Sequence, residues 1–297
     1  MALHLKYETL PKNPELAESF DVYMCNGYSL PSFAVKFLKE EASLFEARDD
    51  DVYIVSYPKT GTTWLKTMVY LIRNKHFQAL PKNLDEKFPY IEHARTNYSS
   101  VKTMESPRSL TTHLPYSLLP MDIHKKKCKI LYITRNPRDV AVSYYHFAVM
   151  LAETQYKGTF NQFFERFLQD RATYGPFLHH NLEFWNHRND SNVLFLFYED
   201  LKQDLAGSID KIGKFLEVSL TVEEIKSVIE HCNFKSMSKS ENLEMSSDLK
   251  THKDAKFFRK GEIGDWKNYF DEDMIERLNR KTDKVLKESG LIYTYEV

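Results

Sequence analysis

The sequence predicts one α/β domain, a central parallel sheet flanked by helices. Three observations carry this. Short runs rich in β-branched and aromatic residues are apolar throughout instead of alternating, the pattern of strands covered on both faces. Helical patterns separate those runs, the order expected of a doubly wound fold. And 297 residues, 42% hydrophobic and 28% charged, suffice for one large core without disulfide staples. Repeats and low-complexity segments are absent from the sequence, so residues 1–297 read as a single domain.

The first strand is Val52–Tyr57, followed directly by Pro58-Lys59-Thr60-Gly61-Thr62-Thr63-Trp64 and a helix predicted over Thr62–Asn74. A strand-loop-helix junction gathers free backbone N–H groups and the positive end of the helix dipole, which together attract phosphate-like anions. Gly61 lets the backbone approach such an anion, Thr62 and Thr63 add hydroxyls, and Lys59 adds charge. The loop is P-loop-like without being a P-loop, because Lys59 precedes the glycine and GxxxxGK[ST] is missing. The second strand, Lys129–Thr134, runs into Arg135-Asn136-Pro137-Arg138-Asp139. Pro137 suits the first turn of a helix over Pro137–Met150. A metal-dependent nucleotidase would place a carboxylate at this strand end; here Arg135 stands there, a fork that suits phosphate directly. Asp139 is expected to bond its own backbone near the helix start. Helices follow at Phe160–Asp170, Ser208–Glu217 and Thr221–Glu230, with a third strand at Val193–Tyr198 between them.

The polar stretch 238–256 lacks a clear period and reads as a mobile lid. After it comes Phe257-Phe258-Arg259-Lys260-Gly261, a second compact anion cradle that, with Arg135, suggests a ligand bearing two separated phosphates. Met274, Ile275, Leu278, Val285 and Leu286 trace one face of a final helix, with Gly290 as its stop. Lys125-Lys126-Lys127 reads as a solvated loop end.

Charge and cysteine content narrow the function. With 41 Lys+Arg against 42 Asp+Glu the net charge is −1, so no global positive field exists to hold nucleic acid. Cys25, Cys128 and Cys232 lie far apart, giving neither a disulfide framework nor zinc spacing, so no metal is expected. No signal-peptide-like start and no run of the ~18–20 apolar residues needed for a membrane span are present. The expectation is a cytoplasmic protein.

Four ordered motifs, YPKTGTTW, YITRNPRDVAVSYYHF, LFLFYEDLK and FFRKGEIGDWKNYF, together resemble the cytosolic sulfotransferase family over roughly Phe33 to Leu286. The resemblance implies use of 3′-phosphoadenosine 5′-phosphosulfate (PAPS), leaving the bisphosphate PAP, to sulfate hydroxyls or amines of small molecules. It implies that Lys59 through Trp64 hold the 5′-phosphosulfate, with Trp64 near the adenine. Arg135, Ser143, Arg259, Lys260 and Gly261 would bind the 3′-phosphate. Tyr198, Phe234 and Met237 would contact the nucleoside, with Cys232 and Asn233 departing from the usual pattern. His113, in Leu110-Thr111-Thr112-His113-Leu114-Pro115, would be the general base, and Lys59 would neutralise charge on the leaving group. Many members carry Lys-Thr-His where this chain has Thr111-Thr112-His113. Phe147 and Tyr174 align with acceptor-lining positions, and Phe33 and Phe37 are candidates to join them. Such a pocket favours a phenol, catecholamine, steroid or retinoid without choosing among them. In the family's dimer motif, Lys267 and Glu276 keep their spacing but Asp271-Glu272 replaces Thr-Val, and like charges meeting across a two-fold axis would repel. Three other functions remain open: a sulfotransferase-fold enzyme with a different net reaction, such as elimination after transient sulfation; a non-catalytic small-molecule or nucleotide binder, against which Lys59 and His113 both argue; and a metal-dependent kinase, for which the GK[ST] lysine and the strand-end carboxylate are both missing.

Overall fold

The computed structural model describes residues 5–75, 80–93, 98–154, 156–245, 249–251 and 256–296. Among them, two sheets form. Strands β1 (Tyr7–Leu10), β2 (Val22–Cys25) and β3 (Tyr28–Leu30) make a small antiparallel meander. Strands β4 (Val52–Ser56), β5 (Ser109–Thr112), β6 (Lys129–Thr134) and β7 (Val193–Phe197) make a parallel sheet in the order β5-β4-β6-β7.

The unbroken apolar runs are explained by burial on both faces. Alternate residues of one strand serve different cores: Ile54, Leu131 and Ile133 pack with Leu65, Met68 and Ile212 on one side. Tyr53, Val55 and Tyr132 pack with Phe163, Phe184 and Leu278 on the other. Helices Thr62–Asn74, Leu205–Phe215 and Val222–Cys232 therefore cover the first face, and Pro137–Met150, Phe160–Leu168, Phe177–Asn186 and Glu272–Leu286 the second. This is a single α/β domain with a helix-flanked parallel sheet.

Local signals set the ends. Asn136 caps its helix by accepting from Asp139 N–H, with Pro137 in the first turn. Thr221 and Glu224 form a capping box. Asp204 caps a helix that begins at Leu205, three residues before the expected Ser208. Tyr57 and Tyr198 lie just outside their strands, and Tyr198 instead opens a short helix, Tyr198–Gln203.

The chain leaves β4 for β5 on one side and then returns past it to β6 on the other. The carboxyl ends of β4 and β6 are thus a topological switch point, where loops part and leave a crevice. Residues 57–61 and Arg135 sit at its two lips.

Candidate active site

The loop after β4 is built to leave N–H groups open. Gly61 precedes the helix Thr62–Asn74 at φ 118°, and no side chain caps that helix. Lys59 also takes a left-handed φ of 71°. Thr60 turns inward: its hydroxyl lies 2.8 Å from the Tyr57 carbonyl and 2.9 Å from that of Ile133, tying the loop to β6. Its side chain therefore shapes the loop and does not line the cavity, a correction in part to its place among Lys59–Trp64 as holders of the 5′-phosphosulfate. The Thr62 and Ser56 hydroxyls are 2.7 Å apart. The Lys59 ammonium lies between two rings, 4.3 Å from the centre of Phe147 and 4.0 Å from that of Phe257. Burial, then the positive charges of Arg135 and Arg259, push its pKa down to about 7.

The second cradle gathers around Arg135. Its guanidinium sits 4.5 Å from the centre of the Tyr198 ring and donates to the Glu262 carbonyl, while its Nε is buried with no hydrogen-bond partner among the described residues. Arg259 and Lys260 both reach Asp265, at 2.5 Å each. Burial raises the Asp265 carboxyl, but hydrogen bonds from Lys260, Asn268 and Arg259 outweigh it and hold the group at about 2. Contrary to the expectation from sequence, the Asp139 carboxylate does not bond its own backbone. Its two oxygens accept the N–H groups of Gly264 and Trp266, at 2.9 and 3.1 Å, and so anchor the distant loop beside Arg135. Gly261 has φ +68°, and a Cβ there would fall 2.1 Å from the Phe234 ring. The Tyr198 hydroxyl donates to the Gly261 carbonyl at 3.2 Å, and Trp64 packs edge-on to Tyr198 at 5.1 Å.

His113 follows β5. Its Nδ1 lies 2.6 Å from the Ser56 carbonyl, which can only accept, so the proton is on Nδ1 and Nε2 keeps a lone pair. Burial pushes the imidazole pKa down to about 3, against the bond to Ser56, so the ring is neutral at physiological pH. Tyr90 and Tyr174 flank it, with ring centres at 5.0 and 5.2 Å.

One cavity of about 1280 Å³ joins these parts. Lys59, Gly61, Thr62, Thr63, Trp64, Arg135, Ser143, Tyr198, Phe234, Met237, Arg259, Lys260 and Gly261 line it, and so do His113, Phe33, Phe147 and Tyr174. Phe37 does not: it is buried in the core, packed edge-on against Phe45 at 6.4 Å, a second correction. Tyr90 and His93 line the cavity too and escaped sequence reasoning; Phe257, read only as part of the second cradle, lines it as well. A proline before Tyr90 and a double phenylalanine at 257–258 are weak signals, because aromatics fill cores equally often. The start of the stretch 238–256 carries regular structure. Residues to Lys239 finish a helix, Glu241–Leu243 make a 3-10 turn, and Leu249 and Thr251 bond to Ala152 and Met150. Residues 246–248 and 252–255 lie outside the described residues. Asp271 caps the last helix by accepting from Met274 N–H, and Glu272 sits in its first turn.

Comparison with known proteins bears on this geometry. The sulfotransferase domain family matches residues 49–290. The chain belongs to the sulfotransferase family. It is 37% identical to Sulfotransferase 4A1 of Homo sapiens over 283 residues, 94% of this chain and 93% of that relative. Against Sulfotransferase 1E1 of Mus musculus it is 35% identical, covering 87% of this chain and 90% of that one. Among solved structures it is similar to retinol dehydratase in complex with androsterone and the inactive cofactor PAP, with TM-score 0.86, 29% identity and 97% and 98% of the two chains covered. It is also similar to mouse sulfotransferase SULT7A1 complexed with PAP, with TM-score 0.75, 30% identity and 89% and 93% covered. The protein is thus a PAPS-dependent sulfotransferase.

Proposed function

We propose that this sulfotransferase moves the sulfuryl group of PAPS to a hydroxyl or amine of a small, apolar, aromatic-compatible acceptor, by direct in-line displacement with His113 as general base. The observation that carries the reading is the pair of cradles at one switch point. An uncapped helix start with Lys59 forms one, and the orphaned Nε of Arg135 beside Arg259 and Lys260 forms the other. Bound there, PAPS supplies the sulfuryl group and a bisphosphate leaving group.

Lys59 and the N–H groups opening Thr62–Asn74 would hold the 5′ end and meet charge that grows on the bridging oxygen. Arg135, Ser143, Arg259, Lys260 and Gly261 would hold the 3′-phosphate, with Asp265 giving up part of its hold on Arg259 and Lys260. Trp64, Tyr198, Phe234 and Met237 would bound the adenine. No step calls for a metal, since the charge that a divalent ion would neutralise meets arginine and lysine. His113 Nε2 takes the acceptor's proton as the new bond forms. Burial holds its pKa low, and negative charge arriving opposite raises its basicity.

Phe33, Tyr90, Phe147 and Tyr174 wall the acceptor side, which favours flat, apolar molecules. One further reading has a specific support: the likeness to retinol dehydratase bound to retinol and PAP, at TM-score 0.85, favours an allylic alcohol acceptor whose sulfate ester is then eliminated. We place the enzyme in the cytoplasm, as a monomer or in a contact other than the family dimer, since Asp271-Glu272 begins a helix with two carboxylates. Closure of part of 238–256 over the cavity would gate product release.

Radiolabelled PAPS presented with phenols, catecholamines, steroids and retinol in EDTA tests the reaction. Labelled product is expected, and its absence across the panel would refute transfer. His113→Ala is expected to lower kcat by about 10²–10⁴-fold with PAP affinity nearly intact; a near-normal kcat removes His113 as the base.

A further inference from the structure

An imidazole is useful as a base only if the peptide carrying it is held still. β5 is a four-residue edge strand, and among the described residues its outer side is covered where Pro89–Ile91 pairs with Thr111. Past Thr112 the ladder offers His113 nothing. Three other bonds take over. The His113 N–H donates to Oε1 of Glu92 at 2.7 Å, which arrives there because it directly follows the segment paired with Thr111. The His113 carbonyl lies 2.9 Å from Nε2 of His180, and Nδ1 of His113 bonds Ser56 as described.

Because a carbonyl only accepts, His180 must carry its proton on Nε2, and its Nδ1 must accept. The Tyr132 hydroxyl on β6, 2.8 Å away, is the donor that fixes this tautomer, closer than its alternative contact of 3.0 Å to Asn181. Glu92 Oε1 also accepts from the Tyr174 hydroxyl at 3.3 Å, so the same atom holds the base's peptide and an acceptor-wall ring. Glu92, His180 and Tyr132 are 2%, 0% and 0% exposed, and none lines the cavity.

We infer that Glu92 and the Tyr132–His180 pair are positioning residues for sulfuryl transfer, clamping the peptide groups on both sides of His113 so that Nε2 stays aimed at the acceptor. The inference rests on His113 being the base. It follows that the Tyr132–His180 pair acts on the rate of the chemical step and leaves both substrates' binding alone, because neither side chain reaches a ligand, whereas Glu92 also steadies the Tyr174 ring of the acceptor wall.

The test compares Tyr132→Phe, Glu92→Ala and Glu92→Gln by steady-state kinetics, calorimetric PAP affinity and nitrogen-15 spectra of His180 in the ligand-free protein. Tyr132→Phe keeps the ring's shape and removes only the donor. We expect Tyr132→Phe and Glu92→Ala to lower kcat about tenfold or more with PAP Kd within about twofold, and Tyr132→Phe to leave acceptor KM within about twofold as well. Glu92→Gln, whose amide oxygen still accepts, is expected to recover most of the rate. His180 should be Nε2-protonated in the native protein and a tautomer mixture in Tyr132→Phe. Should Glu92→Ala fail to fold, Tyr132→Phe decides alone. Native His180 protonated on Nδ1, kcat within about twofold of normal in Tyr132→Phe, or rate and PAP affinity falling together would each overturn the clamp. A normal kcat in His113→Ala would sink the base and the clamp together; an inactive His113→Ala beside an active Tyr132→Phe would sink the clamp alone.

Discussion

Gly61→Ala tests whether the loop after β4 works as an anion nest. At φ 118° an alanine is strained whatever the space, at a cost of about 1–3 kcal/mol. Space is short as well. The added methyl would lie 3.0 Å from Ile133 Cδ1 and 3.0 Å from Tyr198 Cδ2. Ile133 belongs to the buried face of β6 and cannot retreat, so the Tyr198 ring must give. That ring carries the bond to Gly261 and the edge contact with Trp64, so a shift of a few tenths of an ångström loosens both cradles. If half of a ~2 kcal/mol strain is relieved by opening the loop, PAP affinity falls roughly fivefold, since 1.4 kcal/mol is a factor of ten. The remainder appears as a melting temperature lower by about 2–4 °C. Calorimetry with PAP and thermal unfolding read the two effects. A variant that melts and binds PAP like the native protein would show that neither the backbone conformation nor the close approach at Gly61 matters.

Two more predictions rest on single side chains. Lys59 has its pKa pushed down to about 7, and a bound bisphosphate must raise it, so binding above neutrality takes up a proton. PAP affinity should therefore fall as pH rises from 7 towards 9, with proton uptake visible as a dependence of binding heat on buffer ionisation; Lys59→Met should abolish that uptake, and a pH-independent affinity would contradict the assignment. Asp139→Asn leaves one acceptor for two loop N–H groups and removes a charge 3.3 Å from Arg135. Breaking such a buried pair costs about 3 kcal/mol, so a lower melting temperature and weaker PAP binding should appear together, and a change in neither would refute the anchoring role.

How far the sequence reveals the fold depends on element length and context. Thr62–Asn74 and Pro137–Met150 were legible to the residue, because glycine or a proline-aspartate start marks one end and a long periodic face does the rest. Ser109–Thr112 was not read as a strand: four residues, three of them polar, carry no strand signature, and their parallel pairing with Val52–Val55 makes them one. The N-terminal meander and Phe177–Asn186 were missed for related reasons, the first being short, the second interrupting its apolar face with His180 and Asn181. At the site, the phosphate cradles were legible because anion binding demands glycine, lysine and arginine in compact groups. His113 was not, since one histidine before Leu-Pro means nothing without the family pattern. Glu92 and His180 act through backbone groups of a residue 21 and 67 positions away, and no local signal announces such bonds. Phe37 went the other way, an aromatic beside Phe33 on one helix, yet turned into the core.

The central claim is that two separate cradles grip one adenylate carrying acidic groups at both ends. Titration of the native enzyme with PAP and, in parallel, with AMP, in EDTA, tests it most directly. Loss of the 3′-phosphate removes the partner of Arg135, Arg259 and Lys260, so PAP should bind at least about 100-fold more tightly, the equivalent of ~2.7 kcal/mol. Equal affinity for the two nucleotides would contradict the account.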